Sequence, residues 1–137
     1  DSKVLNRINN TDAEIEQVKK GMLYTYSPKG TAPNLFATAN YTAAGKTGTA
    51  QSAYYDGADK SKYGTKTVNL THVGFAPFES PEIAFSVVIP NVSTNRDDYS
   101  SRWSNEIARE ALDVYFDIKK KRLFEEDLSI VDLTIAR

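Results

Sequence analysis

"YTAAGKTGTAQSA", residues 41–53, decides between two architectures. Its Gly45-Lys46-Thr47 invites comparison with a phosphate-binding loop, where a helix begins at the lysine and turns its free N–H groups onto phosphate. That loop needs a glycine five residues before the Gly-Lys pair, and Asn40 stands there instead. Gly48 and Thr49 continue a run of small and β-branched residues with no helical stripe, so an extended strand is expected over 41–53. The segments that follow end in "PF" and "PNV", which offer no acidic strand end to hold a magnesium ion. A nucleotide-binding α/β protein therefore lacks its structural context here.

Working outward, Thr11 followed by Glu14 matches a capping box, and Ile15, Val18, Met22 and Leu23 fall on one helical face, which predicts a helix over 12–26. "SPKG" at 27–30 ends it, because Pro28 cannot donate a backbone hydrogen bond and Gly30 permits a sharp turn. On the other side, "YYDGADKSKYGT" (54–65) reads as an exposed excursion between strands. A β-type segment over 67–78 follows, its alternation slipping near His72 as a bulge would make it do. Residues 82–92 alternate more cleanly, with Ile83, Phe85, Val87 and Ile89 on one face, and the short "ESP" turn between the two segments predicts an antiparallel hairpin.

A second helix is expected from about Trp103 to Lys121, since Trp103, Ile107, Ala111, Val114 and Ile118 recur at helical spacing and form a stripe that a sheet face could cover. Asp97 and Asp98 before it and Lys119 to Arg122 at its end have the polarity that the helix dipole favours, and the basic run reads as a solvated helix end. The tail 123–137 has apolar residues at roughly alternate places and receives no assignment. The expected fold class is α+β, an antiparallel sheet with packed helices, in one unit over 1–137.

Composition narrows the function classes. Lys plus Arg number 17 against 18 Asp plus Glu, a formal net charge of −1, so no general electrostatic attraction to nucleic acid or an acidic membrane exists. With no cysteine and a single histidine, thiolate and histidine-rich metal sites are excluded, and no cofactor is implied. The longest apolar run, "IAFSVVI" at 83–89, falls far below the ~20 residues that cross a bilayer. Asp1 opens the chain with neither an initiator Met nor a signal peptide, which fits a piece of something longer.

A strand reading gives Lys46-Thr47-Gly48-Thr49 a chemical use. On an edge strand beside a cleft, Gly48 lets another backbone approach closely, and an extended peptide could add itself as a further strand. The two threonine hydroxyls could then bind a carboxylate, the Thr49 N–H could point at a developing oxyanion, and Lys46 would supply positive potential. Strict alternation puts Lys46 and Thr47 on opposite faces, but a long lysine can curl over a strand edge. The combination suits acyl transfer involving a peptide with a free carboxylate end.

"GKTGTAQ", preceded by a helix carrying "VKKGM" and by "GTA" at 30–32, and followed by "HVGFAPFESPEIAFSVVIPN", closely resembles the C-terminal part of penicillin-binding protein transpeptidase domains of the class B, monofunctional kind. The resemblance covers nearly residues 12–121, and Lys-Thr-Gly is one of the signatures shared by these proteins and the related β-lactamases. It implies the C-terminal portion of a serine β-lactamase/penicillin-binding-protein-like transpeptidase fold. It also implies a D,D-transpeptidase that cross-links peptidoglycan stem peptides through a serine acyl-enzyme at their D-Ala-D-Ala end and is acylated by β-lactam antibiotics. Lys46 and Thr49 would be catalytic, the first in proton shuttling and charge balance and the second through its oxyanion N–H; Thr47, Gly48 and Thr49 would bind substrate. A β-lactamase-related hydrolase is the alternative within the same resemblance. The parent would be anchored by an upstream transmembrane helix on the outer face of the bacterial cytoplasmic membrane, and the remaining N-terminal part of the domain would be this segment's partner.

The resemblance also exposes what the 137 residues do not contain. No serine is followed three positions on by lysine, so the Ser-x-x-Lys nucleophile is absent and the chain alone is expected to be inactive. Ser93-Thr94-Asn95 matches a Ser-x-Asn signature in letters, but it comes after Lys-Thr-Gly where the family places it before, and it reads as a turn. His72 has no triad partner beside it in sequence and is expected to be structural. Tyr54, Tyr55, Tyr63 and Trp103 are candidates for a groove lining, with Trp103 better suited to the helix stripe.

Overall fold

A computed structural model describes residues 9–54, 60–62, 64–95 and 99–135. In order along the chain they form α1 (Asp12–Tyr24), β1 (Ala44–Ala53), a single 3-10 turn (Lys60–Lys62), β2 (Lys66–Ala76), β3 (Ile83–Ser93) and α2 (Trp103–Ile135). The three strands make one antiparallel sheet in the order β1-β2-β3, which is the expected α+β arrangement.

The capping box forms as the sequence predicts: the Glu14 N–H donates to Thr11 Oγ1 (3.3 Å), and the Thr11 N–H donates to Glu14 Oε2 (2.7 Å). These donors lie in the first helical turn, where no intrahelical acceptor is available to them. The helix ends at Tyr24, two residues before the expected bound. The chain then folds back through Thr25 and Tyr26, whose carbonyls accept the N–H groups of Ala32 and Asn34 (3.0 Å each). No residue of α1 itself is buried, so Ile15, Val18 and Leu23 stay exposed.

The β2–β3 hairpin closes through a turn with a cis Ala76–Pro77 bond, and the Glu82 N–H returns to the Ala76 carbonyl (3.0 Å). Ile83, Phe85, Val87 and Ile89 do share one face. The bulge lies elsewhere than expected. Leu70 pairs with Ile89 but Val68 with Val92, so the extra residue is in β3, opposite Asn69 rather than at His72. Pro90, which has no N–H to give to a ladder, sits there; Asn91 takes φ 55° and donates its N–H to Asn69 Oδ1 (2.9 Å). One extra residue reverses the side-chain parity, so Val92 rejoins Ile89's face and closes a small core with Val68 and Leu70.

α2 covers the same face of the sheet, but with a different stripe from the expected one. Ser104, Ala108 and Leu112 are buried, whereas Ile107, Val114 and Ile118 are 49%, 55% and 45% exposed and Ala111 is exposed too. Only Trp103 of the expected stripe packs inward, edge-on to Tyr99. Small side chains at 104 and 108 let the helix axis approach the strands, and a neighbouring row turned by one residue, about 100°, carries the bulkier apolar groups outward. α2 also continues to Ile135, so Lys119 to Arg122 lie inside the helix and are not its end; Lys119 Nζ pairs with Glu82 Oε2 across the hairpin turn (2.5 Å). Asp97 and Asp98 lie outside the described residues. Among the described residues no helix is long and apolar enough to cross a membrane.

Candidate functional site

β1 lies at one side of the sheet. One of its edges pairs with β2 in the register Lys46↔Val73, Thr47↔His72, Gly48↔Thr71 and Thr49↔Leu70, and the other has no strand partner among the described residues. Directly opposed residues in a ladder share a face. Thr47 and Thr49 therefore lie on the face of buried His72 and Leu70, the face that α2 covers, while Lys46 and Gly48 lie on the opposite face with half-exposed Val73. A strand, not a helix start, carries Gly45-Lys46-Thr47, which removes the geometry a phosphate loop requires.

Alternation separates Lys46 from Thr47, yet the lysine does curl over the strand: its Nζ donates to the Thr47 carbonyl at 2.6 Å. Thr47 itself is half-buried, and its Oγ1 lies 2.9 Å from Thr31 Oγ1, in the loop that folds back after α1. A Cβ at Gly48 would meet the Thr71 hydroxyl on β2, so any side chain there would have to turn that hydroxyl aside. Thr49 is exposed. Lys46, Thr47, Gly48 and Thr49 thus form a continuous exposed-to-half-buried rim, with two hydroxyls on one side and an ammonium returning over the edge from the other.

Beneath this rim lies a buried polar pair that the sequence did not announce. His72 is 0% exposed; its Nε2 and the Tyr26 hydroxyl share a 2.8 Å hydrogen bond, and its ring meets Phe85 edge-on at 5.2 Å. Burial holds the imidazole below its ordinary value, the positive charge of Lys46 adds to the lowering, and the backbone of Ser104 opposes it. His72 Nδ1 makes no hydrogen bond of ordinary geometry. Desolvation likewise pushes the Tyr26 hydroxyl above the usual phenol range, so both groups are neutral. His72 is structural in the sense expected, being inside the packing and away from solvent.

Other candidates fall away from the rim. Ser93-Thr94-Asn95 forms the expected turn after β3, with the Asn95 N–H donated to Ser93 Oγ (3.4 Å). Tyr55 and Tyr63 lie outside the described residues. A hollow of about 680 Å³ between Tyr41, Pro77, Glu79, Phe116 and Lys119, and another of about 560 Å³ beside Tyr24, Tyr26 and Phe36, include none of residues 46–49. Among the described residues the rim is a wall that lines neither hollow. No cluster of three or more acidic or histidine side chains suited to a metal occurs among the described residues. Sequence reasoning missed Thr31, Tyr26 and the depth of His72. Thr31 is marked only by "GTA" at 30–32, and its meeting with Thr47 depends on how the loop folds back.

Comparison with known proteins places this geometry among relatives. A family model described as the penicillin-binding protein transpeptidase domain matches residues 1–113. The chain is 49% identical over 121 residues to penicillin-binding protein 2A of Bacillus subtilis (strain 168), and 42% identical over 119 residues to penicillin-binding protein H of the same organism. Each alignment takes in 87% of this chain and 16% of the relative, so the chain spans about a sixth of the length of the relatives it matches. Penicillin-binding protein 2B of Streptococcus pneumoniae (strain R6) superposes with a TM-score of 0.66 at 26% identity, over 83% of this chain and 17% of that one.

Proposed function

Because the chain belongs to the penicillin-binding protein transpeptidase family, we propose that it supplies one wall of the acyl-transfer site of a peptidoglycan D,D-transpeptidase. The observation that carries this reading is the course of Lys46-Thr47-Gly48-Thr49 along the outer strand of the sheet, with a backbone edge that no other strand pairs among the described residues and that an added peptide strand could take. In it, a stem peptide ending in D-Ala-D-Ala, or the β-lactam that imitates that end, lies against β1. The serine nucleophile belongs to the rest of the transpeptidase domain, since no Ser-x-x-Lys occurs in these 137 residues. The serine Oγ attacks the penultimate D-alanine carbonyl, the terminal D-alanine leaves, and the acyl group passes from the serine to an amine of a neighbouring stem peptide.

Each rim residue has a task in that sequence. Along a strand the backbone N–H and C=O of alternate residues point to the same edge. A Thr47 carbonyl that accepts the Lys46 ammonium is behaving as an outward-facing one, and the two-residue period then turns the Thr49 N–H outward as well, where it meets the oxyanion. The Thr49 hydroxyl, exposed, takes the substrate carboxylate, and Thr47 assists once its hydroxyl is shared with Thr31. Gly48 keeps the strand low enough for the peptide backbone to approach. Lys46 releases the Thr47 carbonyl when substrate arrives and balances the negative charge that develops at the reacting centre. The parent protein works at the outer face of the bacterial cytoplasmic membrane, held there by an N-terminal anchor.

Labelling with fluorescent penicillin tests the reading. In the full-length protein that carries this segment, Lys46→Ala is expected to lower the acylation rate about a hundredfold or more, the scale for losing a group that acts on transition-state charge. The 137 residues alone are expected to take no covalent label. An unchanged rate in Lys46→Ala, or stoichiometric labelling of the isolated segment, would remove the proposal.

A further inference from the structure

Tyr26 holds the rim from two directions. Its ring hydroxyl reaches under β1 to His72 Nε2 at 2.8 Å, and His72 is the cross-strand partner of Thr47. The hydroxyl lies directly beneath Gly45, where any Cβ would collide with it, so the strand rests on this hydrogen bond immediately before Lys46. Through its backbone, the Tyr26 carbonyl accepts the Asn34 N–H and the Thr25 carbonyl accepts the Ala32 N–H (3.0 Å each). Thr31, whose hydroxyl touches Thr47, lies inside both loops that these bonds close. Beneath, the Tyr26 ring is itself fixed edge-on against Phe36, with centroids 4.7 Å apart, inside the main core.

A purely space-filling role does not account for a histidine here. An apolar ring would fill the volume between Tyr26 and Phe85 without the cost of desolvating an imidazole, whose second nitrogen meets only the Ser104 backbone and in no hydrogen bond of ordinary geometry. What the imidazole adds is a directional tie. Its reach is fixed by the ring, and it joins the second strand to the core at the level of the rim.

We propose that His72 and Tyr26 are positioning residues for acyl transfer: the buried hydrogen bond between them sets the height and tilt of Lys46–Thr49 at the sheet edge. The proposal deepens the transpeptidase reading and rests on it. Neither residue touches substrate; both act through the strand that does. Because reacting groups must sit within a fraction of an ångström of their productive geometry, a loosened rim is expected to slow the acylation step much more than it weakens the initial encounter with the antibiotic.

Saturation kinetics with fluorescent penicillin, in the full-length protein, separate the two effects. His72→Phe and Tyr26→Phe are each expected to lower the limiting acylation rate about tenfold, with the dissociation constant of the non-covalent complex changed less than about threefold. The double variant is expected to be no slower than the worse single one, since both remove the same bond. His72→Gln, which restores a hydrogen-bonding atom but fills the apolar space less well, is expected to recover more of the rate than His72→Phe; a packing role gives the reverse order. Wild-type rates in both Phe variants, additive losses, or Phe outperforming Gln would overturn the proposal. If His72→Phe fails to fold, Tyr26→Phe alone decides, by the same criterion. Lys46→Ala, run beside them, distinguishes the two failures: a rate intact there sinks the transpeptidase reading, while a rate lost there but intact in the Phe variants sinks only the tie.

Discussion

His72 gives up water for one tyrosine hydroxyl, and this makes its charge a matter of folding as well as of the rim. In the unfolded chain an imidazole takes a proton near pH 6.5; in the folded protein burial and Lys46 hold its value lower, against the Ser104 backbone. The folded state therefore binds the proton less readily than the unfolded one. The stability contributed by neutral His72 is complete above about pH 6.5 and is lost as the pH falls through the lower folded value, with a slope of at most about 1.4 kcal/mol per pH unit. Urea melts at about pH 7.5 and about pH 5 are expected to show a larger loss in the wild type than in His72→Phe, which has no proton to take up there. Equal losses in the two would show that the imidazole does not titrate into an unfavourable site.

At the scale of elements, α2 is joined to the loop after α1 by a polar clamp. Arg109 Nε donates to Asp113 Oδ2 (2.7 Å), Arg109 Nη1 to the Leu35 carbonyl (2.7 Å), and the Tyr41 hydroxyl to Asp113 Oδ1 (2.7 Å). The guanidinium also lies over the Phe36 ring, 5.7 Å from its centroid, and Phe36 supports Tyr26. Arg109 is partly buried, so its bonds to a carbonyl and a carboxylate are worth more than those of an open surface pair. Arg109→Ala is expected to destabilise the protein by about 2 kcal/mol, measured from the urea midpoint at constant m-value. A change below about 0.5 kcal/mol would mean that the loop is held by its other contacts.

For the whole molecule, the outward apolar row on α2 sets the question of what the segment packs against. Ile107, Val114 and Ile118 are about half exposed, as are Val88 on the open face of the sheet and Val18 on α1. In relatives about six times as long, the remainder of the transpeptidase domain is the partner we propose for these faces. Ile107→Asp combined with Ile118→Asp is then expected to lower the melting temperature of the full-length protein by several degrees, where a solvated helix face would tolerate both within about 0.5 kcal/mol each. An unchanged melting temperature would leave these faces to solvent. Much of the architecture was legible beforehand because its causes are local: the Thr11–Glu14 cap, the alternation of Ile83 to Ile89 and the missing helical stripe at 41–53 each act within one or two turns of chain. The same holds for Lys46-Thr47-Gly48-Thr49, whose residue types and spacing suit an edge strand with or without its neighbours. The sequence alone could not choose which row of α2 meets the sheet, because periodicity records apolarity, while close approach selects the small residues Ser104 and Ala108. Nor could it place the β3 bulge, bring Thr31 to Thr47, or bury His72 against Tyr26 across 46 residues of chain. Those depend on which surfaces meet once the chain has folded back, and only the tertiary packing decides that.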